Sequence, residues 1–194
     1  MNNLSIKIRE AGKEDSPFIA QAVAMAIGDE TALKKYCGED YITLLSKIAE
    51  NEKSQYSYTN CLIAEIDGTT AGAVVGYDGA MLHELRATTY SIICNELGYT
   101  PSIPDETEAG EFYLDSIAVL PQYRGAGIGK ELITAIRNKA FSAGHNRVGL
   151  IVDFDNPQAE ALYTSLGFIR IKTKIFFGHK MWHMQTSEQP KELT

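Results

Sequence analysis

No stretch of the 194-residue sequence stays apolar for the roughly 20 residues that a membrane span takes, and the opening MNNLSIKIRE holds no apolar core of the kind a secretory leader needs. A cytoplasmic protein with no membrane partner is the expectation. Cysteine is scarce. Cys37, Cys61 and Cys94 are odd in number and show neither CxxC nor zinc-finger spacing, so neither a disulfide framework nor a cysteine nucleophile is expected. Basic residues are in deficit, 18 Lys and Arg against 25 Asp and Glu, for a net charge of −7. Affinity for nucleic acid comes mainly from clustered Lys and Arg, which argues against such a partner. The same balance suits a cationic substrate, and equally it serves solubility alone. Metal signals are missing too: His179 and His183 share one side of a strand, but Lys180 removes the HExxH pattern, and Asp153-x-Asp155 lacks the Gly and Glu of a calcium loop. No metal is expected, and without a GxSxG elbow no serine hydrolase either.

What is present suffices for one domain. With 44% hydrophobic and 22% charged residues, a chain of this length buries about 70% of its unfolded surface. We expect that domain over 1–186, with a flexible polar tail over 187–194.

The most informative stretch is Glu111 to Gly129, EFYLDSIAVLPQYRGAGIG. Phe112 to Leu120 is apolar and β-prone, Pro121 stops it, and Gly125, Gly127 and Gly129 lead straight into the amphipathic segment Lys130 to Ala143. A helix that opens on glycines leaves its first NH groups free at the positive end of its dipole, and glycines let a phosphate approach the backbone. Arg124 and Lys130 add positive charge. Spacing separates the known phosphate loops. A P-loop needs Gly at 124 and Ser or Thr at 131, where this chain has Arg124 and Glu131. A dinucleotide fingerprint needs glycine at 130, where it has Lys130.

Arg124-x-x-Gly127-x-Gly129 after a strand ending in Val119, followed by Asn156-Pro157 and Leu162-Tyr163-x-x-Leu166-Gly167-Phe168, resembles the GNAT acetyltransferases over about residues 111 to 170. The resemblance implies an α/β fold of the acyl-CoA N-acyltransferase type, with a mixed central sheet of six or seven strands flanked by helices. It implies acetyl-CoA as co-substrate. The amides of Arg124, Gly125, Ala126, Gly127, Ile128, Gly129 and Lys130 would hold its pyrophosphate, Ile117, Ala118 and Val119 its pantetheine arm, and Asn156 and Ala159 would lie beside it. Tyr163 would protonate the departing thiolate, and the NH of Val119 would polarise the thioester carbonyl.

Along the chain, Leu4, Ile6 and Ile8 alternate as a first strand at or near a sheet edge. A helix follows from Asp15 or Ser16 with Pro17 in its first turn, and a second helical region from about Thr31 to Ala49 is broken near Gly38. Tyr58 to Ile66 and Thr70 to Tyr77 form a hairpin on Asp67-Gly68. In the family these elements wall the acceptor groove, which Tyr36, Tyr41 and Tyr77 would line; packing alone would also explain these tyrosines. Residues 79 to 110 form an insertion between the third and fourth strands, with a helix over Met81 to Leu97 stopped by Gly98. A lid, a substrate wall and a dimer contact are all open for it. Val148 to Val152 reads as a parallel strand, Asn156 as the cap of a helix from Pro157 to about Gly167, and Phe168 to Ile171 with Lys174 to Gln185 as one broken or two final strands. A homodimer through the last strands or the insertion is compatible with this layout.

Acetyl transfer to an amine requires that the amine lose a proton. An amine of pKa about 10.4 is neutral about one time in 2,500 at pH 7, a cost of roughly 4.6 kcal/mol that a base can help relieve. Asp115 and Glu111 are the candidates, and water is the third. Unbroken strand alternation would put 111, 113, 115, 117 and 119 on one side. The function expected is transfer of acetyl from acetyl-CoA to the primary amine of a small molecule or peptide, by direct attack in a ternary complex. The alternative is a catalytically silent acyl-CoA-binding module on the same fold.

Overall fold

The computed structural model describes residues 5–187. Its frame is a seven-stranded mixed sheet in the order β1-β2-β3-β4-β5-β7-β6. The strands are β1 (Ile6–Glu10), β2 (Cys61–Ile66), β3 (Thr69–Asp78), β4 (Phe112–Val119), β5 (Arg147–Asp153), β6 (Ile169–Phe176) and β7 (His179–Ser187). The helices are α1 (Ser16–Ile27), α2 (Glu30–Cys37), α3 (Tyr41–Ala49), α4 (Leu82–Leu97), α5 (Ile128–Ser142) and α6 (Pro157–Ser165). Leu4 and the part of the expected tail beyond Ser187 lie outside the described residues. Among the described residues no helix is long and apolar enough to cross a membrane.

Two apolar layers clamp the sheet. On one side Ile19, Ala20 and Val23 of α1 and Leu45 and Ile48 of α3 bury against Ile63, Ala73 and Val75. On the other, Ile128, Leu132, Ile133, Ile136 and Ala140 form the stripe of α5 and meet Leu62, Val74, Leu114, Val148 and Leu150. Burying each large aliphatic side chain contributes about 1.5–3 kcal/mol, so these two layers fix which way the central strands face; β6 stays largely exposed.

The helix ends follow local chemistry. Gly28, Gly98 and Gly127 sit at positive φ (68°, 73° and 86°), the first two as C-caps of α1 and α4 and the last at the N-cap of α5. Asp29 caps α2 by accepting from the NH groups of Thr31 and Ala32, and Asn156 caps α6 through Ala159. The β2–β3 hairpin turns on Asp67 and Gly68, at φ 50° and 77°.

Two sequence expectations are corrected. Lys174 to Gln185 is not one strand, because the chain reverses at Phe177-Gly178, both at positive φ (47° and 83°), and β6 and β7 pair antiparallel. β4 also does not alternate without interruption. The β3–β4 register slips between Val75↔Ser116 and Gly76↔Leu114, leaving Asp115 as the extra residue of a bulge. Phe112 and Leu114 therefore share the α5 side with Ile117 and Val119, which an unbroken strand forbids.

Candidate active site

β4 and β5 are parallel and pair only at Phe112↔Val148 and Tyr113↔Gly149. Past those residues the strands part, and the gap opens into a cavity of about 650 Å³. Its walls are Tyr113 to Val119 of β4, Leu150 to Asp153 of β5, Gly129 and Ile133 of α5, and Asn156, Ala159, Leu162 and Tyr163 at α6. The floor and rim come from Met25 to Asp29 at the end of α1, Tyr56, Glu106 of the insertion, and Phe176, Phe177 and His179 at the β6–β7 turn. Of the residues singled out from sequence, Asp115, Ile117, Ala118, Val119, Gly129, Asn156, Ala159 and Tyr163 line this one space. Arg124, Gly125, Ala126, Gly127, Ile128 and Lys130 make the loop and first turn beside it.

That loop is shaped to receive an anion. No side chain caps α5, and a Cβ on Gly125 or Gly127 would meet nothing within 4 Å. The first turn of α5 thus opens on backbone amides that no side chain caps, beside glycines with open space before them. Gly129 differs, since a Cβ there would meet Leu162 Cδ2 of α6 in ordinary contact at 3.6 Å. Arg124 turns its Nε back onto the carbonyl of Val119 at 3.2 Å, tying the loop to the end of β4. The residues present therefore fit the pyrophosphate and pantetheine of an acyl-CoA, with β4 beyond Tyr113 offering an edge unpaired on the β5 side.

Asp115 sits in the bulge. Its Oδ2 accepts from the Tyr77 hydroxyl at 2.7 Å and from Gln55 Nε2 at 3.1 Å, and its Oδ1 accepts from Ser116 Oγ at 2.8 Å. Burial raises its pKa and these three bonds oppose the rise; the net direction is upward. Tyr163 approaches from the other side. It is 8% exposed, its ring lies 5.9 Å from Phe168, and its hydroxyl makes no hydrogen bond to another described residue. Burial pushes its pKa up to about 12, so it holds its proton at neutral pH.

Glu111 lies elsewhere. It is 1% exposed and does not line the cavity; its carboxylate is held by His183 Nε2 at 2.9 Å, Gln185 Nε2 at 2.7 Å and Thr107 Oγ1 at 2.6 Å. Burial favours the neutral acid, but these partners prevail and its pKa is lowered. Its work is to tie β4 to β7 beneath the sheet. Gly149 leaves the room for it, because a Cβ there would overlap the carboxylate. Gly149→Ala is expected to cost about 2 kcal/mol, read as a fall of about 4–8 °C in Tm. An unchanged Tm would place Glu111 elsewhere.

Of the expected groove tyrosines, Tyr77 reaches the site through Asp115, whereas Tyr36 and Tyr41 pack into the core below α1. His179 pairs with Asp153 at 2.9 Å rather than with His183. Sequence reasoning missed Gln55, Tyr56 and Glu106. One signal was available: Leu82, Arg86, Thr89 and Ile93 form the buried face of α4. An arginine inside such a stripe requires a buried carboxylate, and Arg86 finds it in Glu106.

Comparison with known proteins agrees with this geometry. The sequence model described as "Acetyltransferase (GNAT) family" matches residues 30–168. A solved acetyltransferase structure is 33% identical and superposes with a TM-score of 0.79 over 94% of this chain and 100% of its own. An N-acetyltransferase from Staphylococcus aureus Mu50 is 25% identical with a TM-score of 0.81 over 93% and 100%. Mycothiol acetyltransferase of Paenarthrobacter aurescens is 41% identical over 69 residues, which is 36% of this chain and 21% of that protein. The first curated relatives are thus matched over about a fifth to a third of their length. With the family pattern on most of the chain and the sheet parting at the point where the loop and Tyr163 meet, this protein belongs to the GNAT family of acetyltransferases.

Proposed function

We propose that this chain transfers an acetyl group from acetyl-CoA to a primary amine by direct attack in a ternary complex. The observation that carries the reading is the parting of β4 and β5, which puts a carboxylate at the Asp115 bulge and the Tyr163 hydroxyl on the walls of one cavity, with the open amides of α5 at its end. The loop from Arg124 to Lys130 holds the pyrophosphate. Ile117, Ala118 and Val119 bond the pantetheine arm, with Asn156 and Ala159 alongside. Asp115 accepts the proton of the ammonium group, either directly or through water, and the neutral amine attacks the thioester carbonyl while the NH of Val119 stabilises the developing oxyanion. As the C–S bond breaks, Tyr163 gives its proton to the sulfur of coenzyme A, and the second proton of the attacking nitrogen returns through water to the Tyr163 oxygen. Holding both reactants in one cavity makes the encounter intramolecular, so no acetylated enzyme is required.

The cavity's charge favours a cationic acceptor. Asp29, Glu106, Asp115, Asp153 and Asp155 line it, and among the described residues no Lys or Arg does. Small-molecule and peptide amines both fit that description. The test is thiol release from acetyl-CoA over a panel of diamines, amino acids and short peptides, with Asp115→Asn beside the native protein. We expect release with at least one cationic amine and a loss of about 10²–10⁴ in kcat for Asp115→Asn. Binding of acetyl-CoA with no release for any amine would instead make the chain a silent acyl-CoA-binding module.

A further inference from the structure

The insertion between β3 and β4 brings a second carboxylate to Asp115. Glu106 is 2% exposed and lines the same cavity. Its Oε1 and Asp115 Oδ2 converge on the same two donors. Gln55 Nε2 lies 2.6 Å from the first and 3.1 Å from the second, and the Tyr77 hydroxyl lies 3.4 Å and 2.7 Å away respectively. Tyr77 has one hydroxyl proton, and its shorter contact is to Asp115. The amide of Gln55 has two protons, one for each acid. The two carboxylates thus face one another across a neutral bridge of amide and phenol in a buried place.

The surrounding groups do not balance them. From α4, Arg86 bonds Glu106 Oε2 but also Asp105 Oδ1 at 2.6 Å, and so divides its charge between two acids. From β6, Lys174 donates to the backbone carbonyls of Asp105 and Glu106 at 3.2 Å and 2.8 Å rather than to the carboxylate. The remaining groups facing Glu106 are Tyr36 of α2, Tyr56, Tyr77 of β3, Tyr90 of α4 and Tyr113 of β4, all neutral phenols whose own pKa values burial raises. Asp105 and Glu106 therefore share the guanidinium of Arg86, with His83 Nε2 also 3.4 Å from Asp105 Oδ2, while the side-chain partners of Asp115 are the neutral Tyr77, Gln55 and Ser116. Taking up one proton relieves that imbalance.

Building on the acetyl-transfer reading above, we propose that Glu106 and Asp115 act as one proton-accepting pair, so that the insertion supplies half of the base that deprotonates the amine. The N–H bond of the ammonium breaks, an O–H bond forms within the pair, and the pair falls from two negative charges to one. The amine keeps the electron pair with which it attacks, and the pair later returns its proton to water. Gln55 and Tyr77 hold the two acids together, and Arg86 anchors the loop that carries Glu106.

Burial and the charge of Asp115 raise Glu106 to about 7 against the pull of Arg86, and a pair must be ionised to accept a proton. The rate, as kcat/KM for the amine, is thus expected to fall as pH drops below about 7. Two variants should move this acid limb in opposite directions. Glu106→Gln removes the neighbouring charge, so Asp115 titrates lower: the limb moves down by about one pH unit or more, and the plateau kcat falls about 10- to 100-fold because the remaining base is weaker. Tyr77→Phe removes a bond that favours ionised Asp115, so the limb moves up. Calorimetry with acetyl-CoA should give both variants the affinity of the native protein, and should Glu106→Gln not fold, Glu106→Asp, which draws the second carboxylate back from Gln55 and Asp115, should move the limb down in its place. A merely structural role for Glu106 predicts turnover with an acid limb that Glu106→Gln leaves in place, whatever Tyr77→Phe does, and that result overturns the pair. Absence of turnover by the native protein with every amine overturns the acetyl-transfer reading instead.

Discussion

Tyr163→Phe is expected to lower kcat about 100-fold or more while leaving the Kd for acetyl-CoA within about twofold, the size and pattern of a lost general acid. The position of the residue requires this split. Asn156 caps α6 and Pro157 opens it, which fixes the helix against β5 and turns Tyr163 into the gap between β4 and β5. Phenylalanine keeps the ring that packs beside Phe168 at 5.9 Å, so the fold and the cofactor wall are retained. Only the hydroxyl is lost. With its pKa pushed up to about 12, that hydroxyl is protonated over the whole working range. Without it, a thiolate must leave unprotonated or wait for water. Single-turnover thiol release beside calorimetry separates kcat from Kd, and unchanged turnover would strip Tyr163 of its role.

The second large effect is on binding. Gly127→Val should reduce acetyl-CoA affinity more than 100-fold, with little left to measure as turnover. Gly127 adopts φ 86° at the mouth of α5, a left-handed conformation that costs a non-glycine residue about 1–2 kcal/mol and is worse for a β-branched one. The space in front of it is open, so the isopropyl group would stand where the free amides meet the pyrophosphate. Affinity measured on Gly127→Val that retains a cooperative melt distinguishes lost binding from lost fold; native-like affinity would show that the loop is not the anion site.

Much of this was legible from local chemistry. Asp67-Gly68 announces a hairpin because both residues tolerate positive φ, and Gly98 announces the end of α4 for the same reason. The loop after β4 is legible because glycine, strand and helix signals are contiguous. What was not legible depends on distant partners. Phe177 takes positive φ against its own preference, with its ring edge-on to Tyr36 at 6.0 Å, so Gly178 alone marks that turn in the sequence. The bulge at Asp115 arises from the match of β4 to β3 and reverses which residues share a face. Glu111 was a fair candidate base by spacing; its partner His183, 72 residues later, draws it below the sheet instead. Glu106, in an irregular loop, became visible only once α4 placed Arg86 over it.

Everything in the chemistry above requires that coenzyme A sit on the amides of α5 with its thioester along β4. Isothermal titration of acetyl-CoA into the folded native protein tests this most directly. The account predicts saturable binding of one ligand per chain, retained in Tyr163→Phe and lost in Gly127→Val; no heat with coenzyme A or its acetyl form at millimolar concentration would contradict it.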